Sequence, residues 1–347
     1  MVLNQLHLVN FRNCSDLVLD FSSKVNLIVG PNAIGKTNIL ESIYLLATGN
    51  SFKAVKNEEM ISWSSDLSLV EGKVNGDSLK ISLSKENSRI AKNFWINKVK
   101  KTRRLFLESF LAVVFRPEEI RVVTGSPSRR REFLDQILSP LDWRYYQALL
   151  IYEKALRRRN LLLLKIAERE ANVQELFYWD QTLVKNGELI RQKREEFFNF
   201  ANLFFKDFQK GRLKHLFCRY WPSPITAELL NKKRQEELIK RTTIIGPHRD
   251  DFSIISSEFK VENANLGLWG SRGQQRLAVF ALKLAQLNYI EEQKKEKPVL
   301  LLDDIFSELD RHSRELAVSL LGDYQSLVTA LEEPKSLSLP FKTIELG

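Results

Sequence analysis

Chemistry in this chain first becomes legible at Gly30-Pro31-Asn32-Ala33-Ile34-Gly35-Lys36-Thr37, a full match to the Walker A pattern GxxxxGK[ST]. Each position has a physical task. The glycines let backbone N–H groups curl around a polyphosphate, Lys36 reaches its β- and γ-phosphates, and the Thr37 hydroxyl is suited to ligate Mg²⁺. The surroundings agree: Val25-Asn26-Leu27-Ile28-Val29 predicts a strand feeding the loop, and Asn38 to Leu46 predicts the helix that follows it. Far downstream, Val299-Leu300-Leu301-Leu302 reads as a short, fully buried strand running into Asp303-Asp304. Asp303 is expected to hold Mg²⁺ through water, and Asp304 to orient or deprotonate an attacking water. An aspartate is one methylene shorter than the glutamate usual in that role, so slow ATP hydrolysis is expected.

Ser271-Arg272-Gly273-Gln274-Gln275-Arg276 opens a predicted helix about thirty residues before Asp303. Ser271, Gly273 and Gln274 fit the S-x-G-Q signature of the ATP-binding-cassette (ABC) class. There a serine hydroxyl and helix N-terminal amides complete the γ-phosphate site of a second subunit. Taken alone, the same residues could simply cap a helix. Ser307-Glu308-Leu309-Asp310 is similar to a D-loop, with Ser307 and Asp310 at its marked positions. No Q-loop glutamine can be assigned, and Phe115 to Glu119 is the region that replaces it. No switch histidine follows Val328-Thr329-Ala330, where the chain continues Leu331-Glu332-Glu333-Pro334.

The elements that must position these residues alternate in type along the chain. Leu6 to Phe11 and Leu17 to Phe21 predict strands ahead of the Walker A strand, and Asn75-Gly76-Asp77 predicts a hairpin turn. From about Leu141 to Leu213 the texture becomes long charged helices. Leu176, Leu183, Ile190, Phe197 and Phe204 recur at every seventh residue, as do Leu149, Leu156 and Leu163. The repeat fits a coiled-coil arm or an ordinary helical subdomain. Trp221-Pro222-Ser223-Pro224 breaks it. Sheet-like sequence returns at Thr243-Ile244-Ile245, and a helix is predicted from about Gly273 to Glu291. The expected fold is therefore α/β, an ABC-type P-loop ATPase head of mixed sheet with flanking helices and an inserted helical arm. Residues 1–125 plus 235–347 are assigned to the head, and 126–234 to the insertion.

Composition narrows the partners. With 53 Lys and Arg against 43 Asp and Glu, the formal charge is +10, which favours a polyanion such as DNA over an acidic small substrate. Basic clusters stand at Lys98 to Arg104, Arg129 to Arg131, Arg157 to Arg159 and Lys232 to Arg234. Each is either a solvated face or a phosphate contact, and Arg129 to Arg131 could instead fold toward nucleotide or a partner subunit; no residue is assigned as a DNA contact. Cys14 and Cys218 have neither disulfide nor metal spacing and read as apolar packing. No apolar run is long enough to span a bilayer, so a cytoplasmic protein without membrane partners is expected. A small-molecule kinase would not need the Ser271 motif, and a transporter ATPase would carry the switch histidine.

Together these blocks resemble one family, RecF, over essentially the whole chain. Besides the ATPase motifs, the resemblance rests on six blocks standing in that family's order. They are Asn10-Phe11-Arg12-Asn13, Thr48-Gly49-Asn50-Ser51-Phe52-Lys53, Phe115-Arg116-Pro117-Glu118, Arg129 to Asp135, Gly246 to Asp251 and Asp303 to Asp310. The resemblance implies ATP and Mg²⁺ as cofactors and ATP-dependent homodimerisation. It also implies binding to single-stranded, double-stranded and gapped DNA in repair, replication and the SOS response, and cooperation with RecO and RecR in loading RecA.

Overall fold

The computed structural model describes residues 1–86, 89–207, 215–258, 264–304, 311–333 and 339–346. Packing divides the chain into two compact units, one of Met1–Glu119 with Gln286–Gly347, the other of Ile120–Ala285. The segment 235–285, expected with the head, packs with the helices. The expected boundary at residue 235 falls inside the helix Ala227–Lys240.

The first unit holds two sheets. Its antiparallel sheet comprises β1 (Leu3–Phe11), β2 (Cys14–Asp20), β4 (Leu67–Val74), β5 (Asp77–Glu86), β6 (Arg89–Ile96) and β7 (Val99–Lys101), in the order β2-β1-β4-β5-β6-β7. The expected hairpin joins β4 to β5 through Asn75 and Gly76, both at positive φ (50° and 95°), the tight turn that twisted strands favour. The second sheet is parallel, ordered β13-β3-β12-β11-β8 from β3 (Val25–Val29), β8 (Ala112–Phe115), β11 (Val299–Leu302), β12 (Ser326–Ala330) and β13 (Phe341–Glu345). Here β3, β8 and β11 are buried at every residue, the signature of strands covered on both faces.

Helix α1 (Lys36–Thr48) starts two residues before the expected Asn38 and packs against β8 and β12 as well as β1, β4 and β5. That is why it is apolar almost all round: Ile39, Leu40, Ile43, Leu45 and Leu46 are all 0% exposed. It ends at Gly49, whose left-handed φ of 68° lets its N–H return to the Leu45 carbonyl at 2.8 Å. The Lys92 ammonium and the Arg103 guanidinium bind the carbonyls of Gly49 and Thr48 at 2.9 and 3.2 Å, placing positive charge at the negative end of the helix. The short α2 (Arg103–Leu107) and α10 (Arg311–Leu321) also belong to this unit.

The second unit is mainly helical: α3 (Ile120–Thr124), α4 (Pro127–Leu141), α5 (Trp143–Ala167), α6 (Leu176–Asp207), α7 (Ala227–Lys240) and α8 (Leu266–Trp269), with an antiparallel pair β9 (Leu216–Trp221) and β10 (Asp251–Ser256). Helix α9 (Arg272–Lys294) begins in this unit and ends among residues of the first. Helices α5 and α6 pack as a pair. On α6, Leu176, Leu183, Ile190 and Phe197 are fully buried as the heptad predicts, but at the next step Phe205 replaces Phe204. A straight helix drifts by roughly 20° per heptad, enough over the four heptad steps from Leu176 to move the seam by a residue. On α5 the expected Leu149 and Leu156 are only partly covered. The seam runs through Tyr145, Ala148, Tyr152, Ala155 and Arg159, with Leu163 as predicted.

Candidate nucleotide-phosphate site

The Walker A loop is shaped by backbone that side chains rarely adopt. Gly30, Ala33 and Gly35 have φ of 156°, 66° and 122°, and a Cβ on Gly30 would sit 2.7 Å from the Leu346 carbonyl. Gly35 opens α1 with no side-chain cap, and no acidic residue lies in the helix's first turn, so its first N–H groups remain available to an anion. The Lys36 ammonium, 5% exposed, donates to the carbonyls of Gly30 at 2.7 Å and Pro31 at 3.0 Å. These neutral acceptors hold the charge over its own loop, where phosphate oxygens would replace them as stronger partners. Pro31, Asn32 and Ala33 are exposed, and Ile34 is half-buried.

Across the parallel sheet, β11 delivers Asp303 beside this loop. The Thr37 hydroxyl donates to Asp303 Oδ1 at 3.0 Å, and the hydroxyl of Thr329, at the end of β12, donates to the same oxygen at 2.9 Å. Asp303 is 7% exposed. Burial pushes its carboxyl above the usual carboxylate range, opposed by the two hydroxyls and aided by the Asp304 charge. Thr37 and Asp303 are hard oxygen donors of the kind Mg²⁺ prefers, so the residues fit the expected ion. Among the described residues no group of three or more His, Cys, Asp or Glu could hold a metal alone, so such an ion would need phosphate and water oxygens to fill its shell. Asp304 is half-buried with a left-handed φ of 47°, and its N–H donates to Thr329 Oγ1 at 2.9 Å. The structure thus brings Lys36, Thr37, Asp303 and Asp304 into one site.

Several residues of the resembling blocks, to which the sequence assigns no chemical role, support the site. Asn13 donates to the Ile34 carbonyl at 3.2 Å and accepts from Asn38 at 2.7 Å, while Lys53 reaches Asn38 at 3.1 Å, so the β1–β2 turn, the loop and α1 are laced together. Arg12 pairs with fully buried Glu41 through two bonds of 3.0 and 2.6 Å, and the Ser51 hydroxyl also donates to Glu41. In the Phe115 to Glu119 region, Phe115 accepts the Asp303 N–H at 2.9 Å, and the Arg116 guanidinium stacks over the Phe52 ring at 4.0 Å. A cation on a ring therefore follows β8 where a Q-loop glutamine was sought. Two of the resembling blocks, at Thr48 to Lys53 and Phe115 to Glu118, meet here.

The second unit holds the predicted signature. Ser271 caps α9, its hydroxyl accepting the Gln274 N–H at 3.4 Å while Gln274 Oε1 accepts the Ser271 N–H at 2.8 Å. The helix-cap reading is thus realised in geometry, and it leaves the signature reading open. Ser271, Arg272 and Gly273 are exposed, and a Cβ on Gly273 would meet nothing within 4 Å. Ser307 and Asp310, the expected D-loop positions, lie outside the described residues.

Most of the other charged blocks in this unit fold inward. Arg194, 2% exposed, donates to the Tyr145 hydroxyl at 3.2 Å, to the Pro247 carbonyl and Asp250 at 2.8 Å each, and to Asp135 at 2.9 Å. Tyr220 donates to Asp250 as well. Arg130 pairs with Asp251, and Arg131 reaches the Asp250 carbonyl, so neither turns toward solvent. Arg159, expected within a basic surface cluster, is 0% exposed between Asp180 and Glu237 at 2.6 Å each, while Arg157 and Arg158 are exposed. Cys218 is buried as expected, and Cys14 only half so. Among the described residues no helix is long and apolar enough to cross a membrane.

Comparison with known proteins supplies the frame for this geometry. Residues 2–337 match the family model described as RecF/RecN/SMC N terminal domain. The chain is 38% identical to a DNA replication and repair protein RecF of Natranaerobius thermophilus, across 95% of this chain and 91% of the relative. The RecF of Clostridium acetobutylicum is 36% identical across 95% and 92%. Among solved structures, a recombination mediator protein RecF with ATP in the RecFOR pathway superposes with a TM-score of 0.84 at 33% identity, covering 96% of this chain and 93% of that one. The Smc head domain of Pyrococcus furiosus shares the fold alone, with a TM-score of 0.51 at 17% identity, covering 96% and 90%.

Proposed function

Because this chain belongs to the RecF family, ABC-type ATPases with a role in DNA replication and repair, we propose that it works as an ATP-gated dimeric clamp on DNA. In this reading the first unit binds the triphosphate through the Walker A amides and Lys36. Thr37 and Asp303 hold Mg²⁺, which when bound offsets the phosphate charge. Asp304 orients the attacking water. The γ-phosphate site is completed by Ser271 and the α9 amides of a second copy. Hydrolysis is slow and stimulated by DNA, and it reopens the pair.

The observation that carries this reading is the free end of α9. A 23-residue helix presents a serine cap, an exposed glycine with open space around it and the positive end of its dipole. Single-stranded, double-stranded and gapped DNA, RecO and RecR as partners, RecA loading and a cytoplasmic setting follow from the family role and belong to the same proposal. So does the working division into a head of residues 1–125 plus 235–347 and an arm of 126–234, with Ser307 and Asp310 meeting the partner copy.

Sedimentation with and without ATP and a gapped duplex tests it. ATP should drive wild-type protein into dimers that co-sediment with the duplex, and Ser271→Arg should stay monomeric at unchanged ATP affinity. Wild-type protein that remains monomeric with ATP on the duplex would exclude the clamp.

A further inference from the structure

Thr329 belongs to none of the motifs that carry ATP chemistry, yet its hydroxyl sits at their junction. It lies at the end of β12, which runs parallel between β3, the strand feeding the Walker A loop, and β11, the strand ending at Asp303. The side chain is 1% exposed. Its Oγ1 lies 2.9 Å from Asp303 Oδ1 and 2.9 Å from the Asp304 N–H, while the Leu302 carbonyl is more distant at 3.5 Å. A hydroxyl has one proton to donate, and the carboxylate is the nearer and stronger acceptor. The proton therefore goes to Asp303, and a lone pair receives the Asp304 amide.

From this bonding we infer that Thr329 is a positioning residue for hydrolysis, setting the rotamer of Asp303 and the backbone of Asp304 with one atom. Both constraints matter. Asp303 Oδ1 receives hydroxyl protons from Thr329 and Thr37 together, which fixes the carboxylate plane and directs its second oxygen away from them. Asp304 is held at φ 47°, in the left-handed region that residues with a Cβ adopt only occasionally and that persists where neighbours enforce it. The amide bond to Thr329 is such an enforcement. No switch histidine follows this strand end, which acts instead through the Thr329 hydroxyl. That hydroxyl touches the acidic pair rather than the nucleotide.

The inference rests on reading Asp303 and Asp304 as the hydrolytic pair, and the test separates the two. Full-length Thr329→Val, which keeps the side-chain shape without the hydroxyl, Thr329→Ser, which restores it, and Asp304→Asn are assayed for ATP affinity and for turnover across a Mg²⁺ titration. Thr329→Val should bind ATP as wild type does, turn over about tenfold more slowly, the scale of one lost hydrogen bond of roughly 1.4 kcal/mol, and require more Mg²⁺ for half-maximal rate. Thr329→Ser should recover most of both properties. Three results would overturn the inference: wild-type turnover and Mg²⁺ dependence in Thr329→Val, failure of Thr329→Ser to rescue, or parallel loss of ATP affinity and turnover, the mark of a purely structural role. If Asp304→Asn keeps full turnover, the reading of the acidic pair itself fails.

Discussion

Two charged centres of this protein each hold a buried cation and a buried aspartate, and they differ in what their partners are. In the helical unit, the Arg194 guanidinium finds side-chain or main-chain acceptors for all three of its nitrogens, and Asp250 receives Arg194, Tyr220 and the Ser223 N–H. That network is closed by the protein itself. In the first unit Lys36 rests on two carbonyls of its own loop, and the α1 N-terminus has no side-chain cap. A buried charge whose partners are replaceable main-chain groups marks a binding site, whereas one enclosed by opposite charges marks architecture. The comparison separates Gly246 to Asp251 from Gly30 to Thr37, though both blocks look alike as strings of glycine and charge.

The sharpest way to break that distinction is to alter each centre and read both outcomes. Asp304→Asn should slow ATP turnover by about 10²- to 10⁴-fold, the usual range for a general base, with ATP affinity and melting temperature unchanged. Arg194→Met should do the reverse, lowering unfolding stability in denaturant by roughly 3–5 kcal/mol because buried Asp250 and half-buried Asp135 lose their cation. An Arg194 variant of normal stability that loses turnover would move the helical centre from architecture to function.

pH offers a gentler probe of the same centre. His248 is half-buried, hydrogen-bonded to the Tyr152 hydroxyl at 2.8 Å and to the Thr243 carbonyl at 3.1 Å. Burial, with the charges of Arg249, Arg131 and Arg159, lowers its pKa to about 4. The folded value is depressed below the unfolded one of roughly 6.5, so its contribution to stability is present above that pH and is lost as pH falls toward 4. The contribution is up to about 3 kcal/mol, and melting curves of wild type and His248→Gln should converge in their pH dependence outside that window only. Identical slopes inside it would contradict a neutral imidazole in the folded protein. Lys36→Ala completes the comparison: ATP affinity should fall about 10- to 100-fold, as for a charge-assisted contact of roughly 1.5–3 kcal/mol, at unchanged thermal stability.

The sequence was informative where local pattern and global role coincide. The strand, loop and helix around Gly30 to Thr37, the apolar strand before Asp303 and the Asn75-Gly76 turn are each specified by short-range chemistry, and all three stand as expected. The role of Thr329 was illegible because it depends on which strands become neighbours, a property of sheet order rather than of local sequence. The α5 seam was misjudged for a related reason. Arg159 looked like surface, and only the later arrival of Asp180 and Glu237 makes burying its charge tolerable, so the stripe passes through Tyr145, Tyr152 and Arg159 instead of Leu149 and Leu156. Ser271 was legible as a cap and as a signature, and geometry realises the first while leaving its outer face available for the second.

The proposal that two copies share each triphosphate is tested most directly by mixing two defective variants. Lys36→Ala lacks the loop lysine, and Ser271→Arg blocks the helix end. A dimer of one with the other rebuilds a site with both groups intact. ATP turnover should therefore reappear on mixing in the presence of DNA, although neither variant shows it alone. A mixture as inactive as its components, with mixed dimers demonstrated by cross-linking, would contradict a triphosphate held between two copies.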